Sequence, residues 1–535
     1  MVKILHIQTS AINNQNPGTS GLRKKTIQFK EKNYLQNYIQ AIFNATDIKN
    51  KSIIIGGDGR YFNLDAIQII ISQAIANSVS KIYVAKDGFL STPAASNIII
   101  KYKLDYGIIL SASHNPGGIN GDFGIKLNGS NGAPASQILG EAIYLESQKI
   151  NEYKILDDLK LDISQIKTYK ILNTSIEVID GIKDYVLMLK EIFDFNIISN
   201  YLHSKNKKIV FNSFCGISGP YAKAIFVNEL KLPQSWLLNN EVKKDFGNLI
   251  PDPNPHSAKN FMEDLYKDNE AMLGCACDAD GDRNFIFSKN NILEPSDSLA
   301  IILQYAHLIP YYKNIFGVAR SKPTSGAIDL VAKEKNIPLF ITPVGWKFFA
   351  NLLDNNLITF CGEESFGLGS SHIREKDGLW AIIFYLHIMA ITNKSLDELI
   401  NDLWKKYGRF YFCRQDYENL DSSLANKILD NLQNNSQIQI GKTLYNHILQ
   451  SVENFEYTDI TNNTKFQNQG LILNFNNASV VIRASGTGTS GSTIRIYYSQ
   501  YEKNDINQNK HIFLQNLKNY IEQIININLQ PNVVV

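Results

Sequence analysis

The chain has 535 residues, 44% of them hydrophobic and 19% charged, which excludes a disordered or collagen-like protein and leaves room for three or four domains at about 150 residues each. Lys and Arg number 53 against 51 Asp and Glu, a net charge of +2, too small to draw nucleic acid or anionic lipid by an overall field. Five cysteines, Cys215, Cys275, Cys277, Cys361 and Cys413, contain no CxxC pair; they exclude a disulfide framework and point to a reducing, cytoplasmic setting.

In chain order, the apolar part of the first fifteen residues is too short for a signal peptide. Lys51 to Asp58 (KSIIIGGD) reads as a strand, followed by a helical pattern and a second strand at Lys81 to Lys86. Lys207 to Asn212 leads through CGISGP into the helix-like YAKAIFVNELK. Asn314 to Ala319 leads through RSKPTSG into AIDLVAKEK and then LFITP. Strand, glycine loop, helix, strand is the signature of α/β layers, so three related α/β domains are expected. Leu379 to Thr392 is apolar throughout but shorter than the ~20 residues that span a bilayer, and reads as a buried helix. From about residue 406 the pattern changes to short strand-like runs, RFYFCRQDYE, GLILNFN, SVVIRAS and STIRIYY, closed by the helical HIFLQNLKNYIEQIINI. The expected fold class is α/β, with three related α/β domains over residues 1–190, 191–305 and 306–405 and a smaller C-terminal α+β domain over 406–535.

Four motifs carry chemistry. Ser111-Ala-Ser113-His114-Asn115-Pro116-Gly117-Gly118 follows the apolar run Tyr106 to Leu110. A serine in such a turn can be presented as a nucleophile or a phosphorylated hydroxyl, although the same residues also make ordinary turns. Asp278, Asp280 and Asp282 alternate in Cys277 to Asn284. Their mutual repulsion calls for a cation, and hard oxygen ligands suit Mg²⁺. The calcium-loop pattern fails, with Arg283 at its sixth position and Lys289 at its twelfth. Cys361 to Gly369 places Glu363, Glu364 and Ser365 among glycines, suited either to hydrogen-bonding sugar hydroxyls or to starting a helix. Arg483 to Arg495 brackets a Gly/Ser/Thr loop with two arginines, a good cradle for a phosphate. A fifth stretch, Gly18 to Lys25, reads as a small basic loop or a flexible N-terminal segment. A complete Walker A loop, GxSxG, HExxH and GxGxxG are absent from the sequence. Together the motifs predict phosphoryl transfer on a phosphosugar in a multidomain cleft.

The runs GTSGLRKK, SASHNPGG, NGDFGIK, CDADGDRN, ARSKPTSGAIDLVA, CGEESFGLGSSHIREKDGLWA, NFEYTD and RASGTGTSGSTIRIYYSQYEK, in this order over essentially the whole chain, resemble the α-D-phosphohexomutase family. The resemblance implies four domains around a central active-site cleft. It also implies interconversion of glucose 1-phosphate and glucose 6-phosphate through a phosphoserine and glucose 1,6-bisphosphate, which serves as intermediate and activator. By that resemblance Ser113 is the phosphoserine, and Asp278, Asp280 and Asp282 bind Mg²⁺ together with the Ser113 phosphate. His114 and Lys126 are the proton-transfer candidates. Glu363 and Ser365 hold sugar hydroxyls. Arg483, Ser485, Gly486, Thr487 and Arg495 grip the non-reacting phosphate, and Arg23, Asp282, Arg283 and Lys376 add contacts to the phosphosugar. Val344 stands where the family usually has Thr and keeps only a backbone contact. Ser111 replaces a usual Thr, Cys215 a frequent His and Ala279 a common Gly. The expected partner is a small phosphosugar, with no nucleic acid and no membrane, the chain being a monomer or weak dimer. Another hexomutase acting on mannose or glucosamine phosphates, and a sugar-phosphate-sensing scaffold, are the competing readings.

Overall fold

A computed structural model describes residues 3–18, 20–204, 207–438, 440–486, 492–525 and 532–533. The chain forms two compact units. One comprises Met1–Pro253, Glu263–Ile286 and Gly369–Ala390; the other comprises Asn254–Met262, Phe287–Leu368 and Ile391–Val535.

Three sheets repeat one topology. In the first, Ser52–Gly57 lies between Lys81–Phe89 and Tyr106–Leu110, parallel to both, and Asp122–Asn128 adds antiparallel beyond Tyr106–Leu110. In the second, Lys208–Asn212 lies between Leu237–Leu238 and Ala271–Cys277, parallel to both, with Asn284–Phe287 beyond. In the third, Val318–Ser321 lies between Leu339–Thr342 and Phe360–Glu363, parallel to both, with Gly367–Ser370 beyond. The order in space is second, first, third, fourth in every case, which gives the repeated strand–loop–helix pattern of the sequence a common structural origin. The central strands are buried on both faces, as parallel strands covered by helices must be, and they read as continuous apolar runs such as Ile53-Ile54-Ile55.

The first sheet extends further. Leu22–Lys25 pairs antiparallel with Asp122–Asn128, with Arg23 opposite Gly124. The basic stretch expected to be a loop or flexible segment is therefore half strand: Leu22 is fully buried, and an apolar anchor in a sheet fixes the arginine beside it.

The fourth sheet is antiparallel through most of its width. Arg409–Leu420, Ser492–Glu502, Ala478–Gly486 and Leu471–Phe475 are successive neighbours. Helices Ser422–Ile438 and Lys510–Ile525 contribute to one core with Val480, Ile482, Ile494, Ile496 and Tyr498. Alternation along the strands sends Arg483, Arg495 and Tyr497 to the opposite face. The helix Ser422–Ile438 was not read from the sequence, its polar composition masking a short apolar stripe at Ala425, Ile428 and Leu432.

The expected buried helix is Gly378–Thr392, with every residue from Gly378 to Met389 buried. A helix apolar on all sides belongs in a core, and no single described helix is long and apolar enough to cross a membrane. Its first residue abuts the aspartate loop: the Gly378 N–H donates to the Gly281 carbonyl at 3.1 Å. A Cβ at Gly378 would stand 2.2 Å from the Arg283 carbonyl oxygen and 2.8 Å from Cys277 Sγ. Gly378→Ala is therefore expected to destabilise the protein by about 1–3 kcal/mol through overpacking against backbone, read as a lowered thermal midpoint.

Candidate active site

The strand Tyr106–Leu110 runs into the serine turn. Ser113 has φ 54°, a left-handed conformation that costs a non-glycine residue roughly 1–2 kcal/mol. Two hydrogen bonds hold it there. The Ser113 N–H donates to Ser111 Oγ at 2.8 Å, and Arg60 Nη2 donates to the Ser113 carbonyl at 2.8 Å. Both lead back to Asp58, which accepts from Ser111 Oγ at 2.6 Å and from Arg60 Nε at 2.9 Å. The Asp58 and Arg60 side chains are fully buried. Ser111 thus has its donor and an acceptor committed, which separates the two hydroxyls that sequence alone leaves side by side. Ser113 Oγ instead donates to Asp278 Oδ2 at 2.9 Å, with His114 Nδ1 at 3.4 Å.

Asp278 begins the turn after Ala271–Cys277. Its Oδ1 accepts the N–H groups of Asp282 at 2.9 Å and Arg283 at 3.0 Å, wrapping the loop around its own first carboxylate. Gly281 takes φ 77°, where a side chain would be strained. Ala279 is not among the residues of positive φ and is fully buried, so the Cβ at this position costs the loop nothing. Asp278, Asp280 and Asp282 bring carboxylate oxygens within 4.8 Å of one another. Lys126, on Asp122–Asn128, reaches them from the first sheet, with Nζ 2.5 Å from Asp280 Oδ2 and 3.3 Å from Asp282 Oδ2. Thr92 Oγ1 donates to Asp280 at 2.6 Å. Lys376 Nζ lies 3.5 Å from Asp282, and Arg283 Nη1 lies 3.2 Å from Asp252.

Burial, then the charges of Asp282 and Asp280, push the Asp278 carboxyl well up. Burial also works against ionising Asp280, but Lys126 outweighs it and holds that carboxyl below the usual range. Lys126 is the mirror case: burial opposes its charge, while Asp280 and Asp282 more than restore it. For Arg23 burial wins over attraction by Asp280 and its pKa falls. The Oδ1 atoms of Asp280 and Asp282 are buried without a hydrogen-bond partner among the described residues. A converging set of hard oxygens, two of them unsatisfied, with one carboxyl driven toward neutrality by the others, fits a divalent cation such as Mg²⁺.

In the other unit, Glu363 ends the strand Phe360–Glu363 and is buried, and Ser365 sits half-buried in the turn before Gly367–Ser370. The alternative of a helix start at these acids is not met, because a strand precedes the turn and another follows. Ser321 Oγ donates to Glu364 at 2.6 Å, tethering the turn. Val344 is half-buried between Leu339–Thr342 and the helix Trp346–Asp354. Arg483 stands directly opposite Arg495 on adjacent strands. Gly486 ends the strand Ala478–Gly486, where Ser485 pairs with Thr493 through the backbone; Thr487 lies outside the described residues.

The serine, the aspartates and Glu363–Ser365 occupy one topological position, each in the turn between the third and fourth strand of its sheet. Ligands on parallel sheets sit beyond the carboxyl ends of strands, where the chain order reverses. Sequence reading missed the supporting groups: Asp58 and Arg60, Thr92, and Glu375, whose carboxylate accepts from Asn128 at 2.9 Å. Asp58 carries a signal, since it follows the first strand of the first sheet; Thr92 and Glu375 carry none, their roles arising from distant partners.

Family models match most of the chain. Those described as "Phosphoglucomutase/phosphomannomutase, alpha/beta/alpha domain" I, II and III match residues 14–154, 183–291 and 294–407. "Phosphoglucomutase-1, C-terminal domain" matches residues 409–530. The chain is 46% identical to a phosphoglucomutase of Aspergillus oryzae over 517 residues, 94% of this chain and 93% of that one. It is 42% identical to phosphoglucomutase-1 of Bos taurus over 526 residues, again 94% and 93%. It resembles the crystal structure of the Paramecium exocytosis-sensitive phosphoprotein pp63/parafusin, a phosphoglucomutase, in an open form, at 39% identity and TM-score 0.90, over 98% of this chain and 96% of that one. A putative phosphomannomutase from Thermus thermophilus, 20% identical with TM-score 0.70 over 96% of this chain and 100% of that one, shares the fold.

The buried Asp58–Arg60 pair generates a test. Arg60→Met leaves an uncompensated buried carboxylate and frees the Ser113 carbonyl. The expected loss is about 3–5 kcal/mol of stability, measured by denaturant unfolding followed through the first unit.

Proposed function

The chain belongs to the phosphoglucomutase/phosphomannomutase family and is an isomerase-class phosphotransferase that interconverts glucose phosphates; on that premise we propose that it works through a phosphorylated Ser113, a glucose 1,6-bisphosphate intermediate and Mg²⁺ held by Asp278, Asp280 and Asp282. The observation that carries this reading is the Ser113 hydroxyl, on a strained and clamped turn, 2.9 Å from the first of three converging carboxylates.

In one direction the 6-hydroxyl of glucose 1-phosphate attacks the phosphorus on Ser113. The O6–P bond forms as the P–Oγ bond breaks, and the proton lost by O6 is balanced by the one gained at Oγ, with Lys126 and His114 as the groups that pass it. After the bisphosphate turns over, the freed Oγ takes the 1-phosphoryl group and glucose 6-phosphate is left. Mg²⁺, when bound, offsets the charge on the transferring phosphoryl group. The clamp from Asp58 through Ser111 and Arg60 fixes the Ser113 backbone on both sides of its side chain, so less orientation remains to be lost at the transition state. Lys126, kept as an ammonium by Asp280 and Asp282, enters as the acid and a fixed positive charge. His114 Nδ1, 3.4 Å from Oγ, is placed to exchange its proton. Arg23, Arg283 and Lys376 add positive charge around the reacting phosphate. Glu363 and Ser365 accept and donate to sugar hydroxyls, Val344 offers only its backbone, and Arg483 and Arg495, with Ser485, Gly486 and Thr487, grip the phosphate that does not react.

Intact-mass analysis of the isolated protein is expected to show one added phosphate that maps to Ser113. Ser113→Ala should retain the fold and lose on the order of 10⁴-fold in kcat. Residual turnover near wild type, or a phosphate mapped to Ser111, defeats the reading. Affinity for Mg²⁺ should fall as pH falls, because the ligating carboxylates must be ionised to coordinate, and burial together with Asp282 and Asp280 pushes the Asp278 carboxyl up. The affinity is read by calorimetry across a pH series, and Asp278→Asn should weaken it by roughly tenfold or more.

A further inference from the structure

The face of the C-terminal sheet opposite its helices carries a line of charge that runs across three strands. Asp416 stands directly opposite Arg495, and Arg495 stands directly opposite Arg483. Like charges directly opposite on neighbouring strands repel, so the arginine pair needs a counter-charge. Asp416 is that charge, and it is buried, at 2% side-chain exposure. Two residues earlier on the same face, Arg414 forks onto it: Nε donates to Oδ1 at 2.8 Å and Nη2 to Oδ2. Oδ2 is shared, since Arg495 Nε lies 3.4 Å from it, an ion-pair distance without hydrogen-bond geometry. The Arg495 side chain is 30% exposed while Arg414 is 13% exposed, so one guanidinium faces outward and the other backs the carboxylate.

Two further observations point to a ligand on this face. Arg495 Nε and the hydroxyl of Tyr497, which stands opposite Arg414, are buried with no hydrogen-bond partner among the described residues. Arg414, Arg483 and Arg495 against Asp416 leave the line two positive charges in excess, near the charge of a phosphate monoester at neutral pH.

We propose that Asp416 is a positioning residue for the phosphate grip: locked by the bidentate fork of Arg414, it holds Arg495 beside Arg483 with the outer guanidinium edge turned to the phosphate. The inference rests on the reading of Arg483 and Arg495 as the grip on the non-reacting phosphate. Arg414 acts one step further back. By engaging both oxygens of Asp416 it stops that carboxylate from neutralising Arg495 outright.

The sign of the effect tests this. Asp416→Asn adds net positive charge to the line. If Asp416 merely diluted that charge, the variant would bind glucose 1-phosphate as well as wild type or better. Positioning predicts the opposite: KM for glucose 1-phosphate rises roughly tenfold while kcat stays within about threefold, and Asp416→Glu recovers most of the loss. Arg414→Gln frees Asp416 to close on Arg495 and should raise KM as well. An unchanged or lowered KM in Asp416→Asn overturns the inference, and Arg414→Gln decides by the same criterion if Asp416→Asn does not fold. Arg495→Met, measured in parallel, tests the reading beneath it. If Arg495→Met leaves KM unchanged, the line is not the phosphate grip and both fail. If Arg495→Met raises KM and neither Asp416→Asn nor Arg414→Gln does, the positioning role alone falls.

Discussion

Three carboxylates buried within 4.8 Å of one another are the constraint around which this molecule is arranged. Taken from water without compensation, such a group would shed its charge or unfold its loop. The protein answers with groups from separate parts of the chain. Lys126 comes from an antiparallel strand of the first sheet, Thr92 from the start of a helix, Lys376 from the turn before the buried helix, and two N–H groups from the loop itself. Even so, two oxygens keep unfilled acceptor capacity. A divalent cation is a compensating occupant for such a place.

The serine side of the arrangement shows strain held by a rigid support. A left-handed Ser113 persists because Asp58 over-determines it, its Oδ2 tying both Ser111 and Arg60 and its Oδ1 tying Arg60 again, while the Arg60 Nη1 and Nη2 groups reach the Asp122 and Ser113 carbonyls. The support is buried and charged, so it is stiff, and its failure would be felt as lost stability as well as lost alignment.

Repetition of one sheet topology explains how so many loops came to carry chemistry. The turn after the third strand bears Ser113 in one copy, three converging carboxylates in the next and Glu363 to Ser365 in the third, while the antiparallel C-terminal sheet sets Arg483 opposite Arg495. The scaffold is reused and the function lies in what each turn presents.

Much of this was legible in residue order. The apolar runs of the three first strands, the all-apolar stretch at Leu379–Thr392 and the strand runs after residue 406 announce their elements, because burial on both faces or on one leaves a direct imprint on hydropathy. The three aspartates and the arginines that flank the Gly/Ser/Thr loop are likewise visible, since their chemistry is local to a few residues. The resemblance already pointed to Ser113 over Ser111; not visible were the hydrogen bonds that engage Ser111, the conversion of a basic N-terminal stretch into a strand holding Arg23, and the contacts made by Asp58, Arg60, Thr92, Glu375 and Asp416. Each of these depends on a partner brought near by folding, such as Thr92 and Asp280, 188 positions apart. Composition and spacing determine which chemistry the chain possesses; only tertiary contact decides which of several equivalent hydroxyls or charges is left to react, because a side chain's reactivity is set by the hydrogen bonds and charges already spoken for around it.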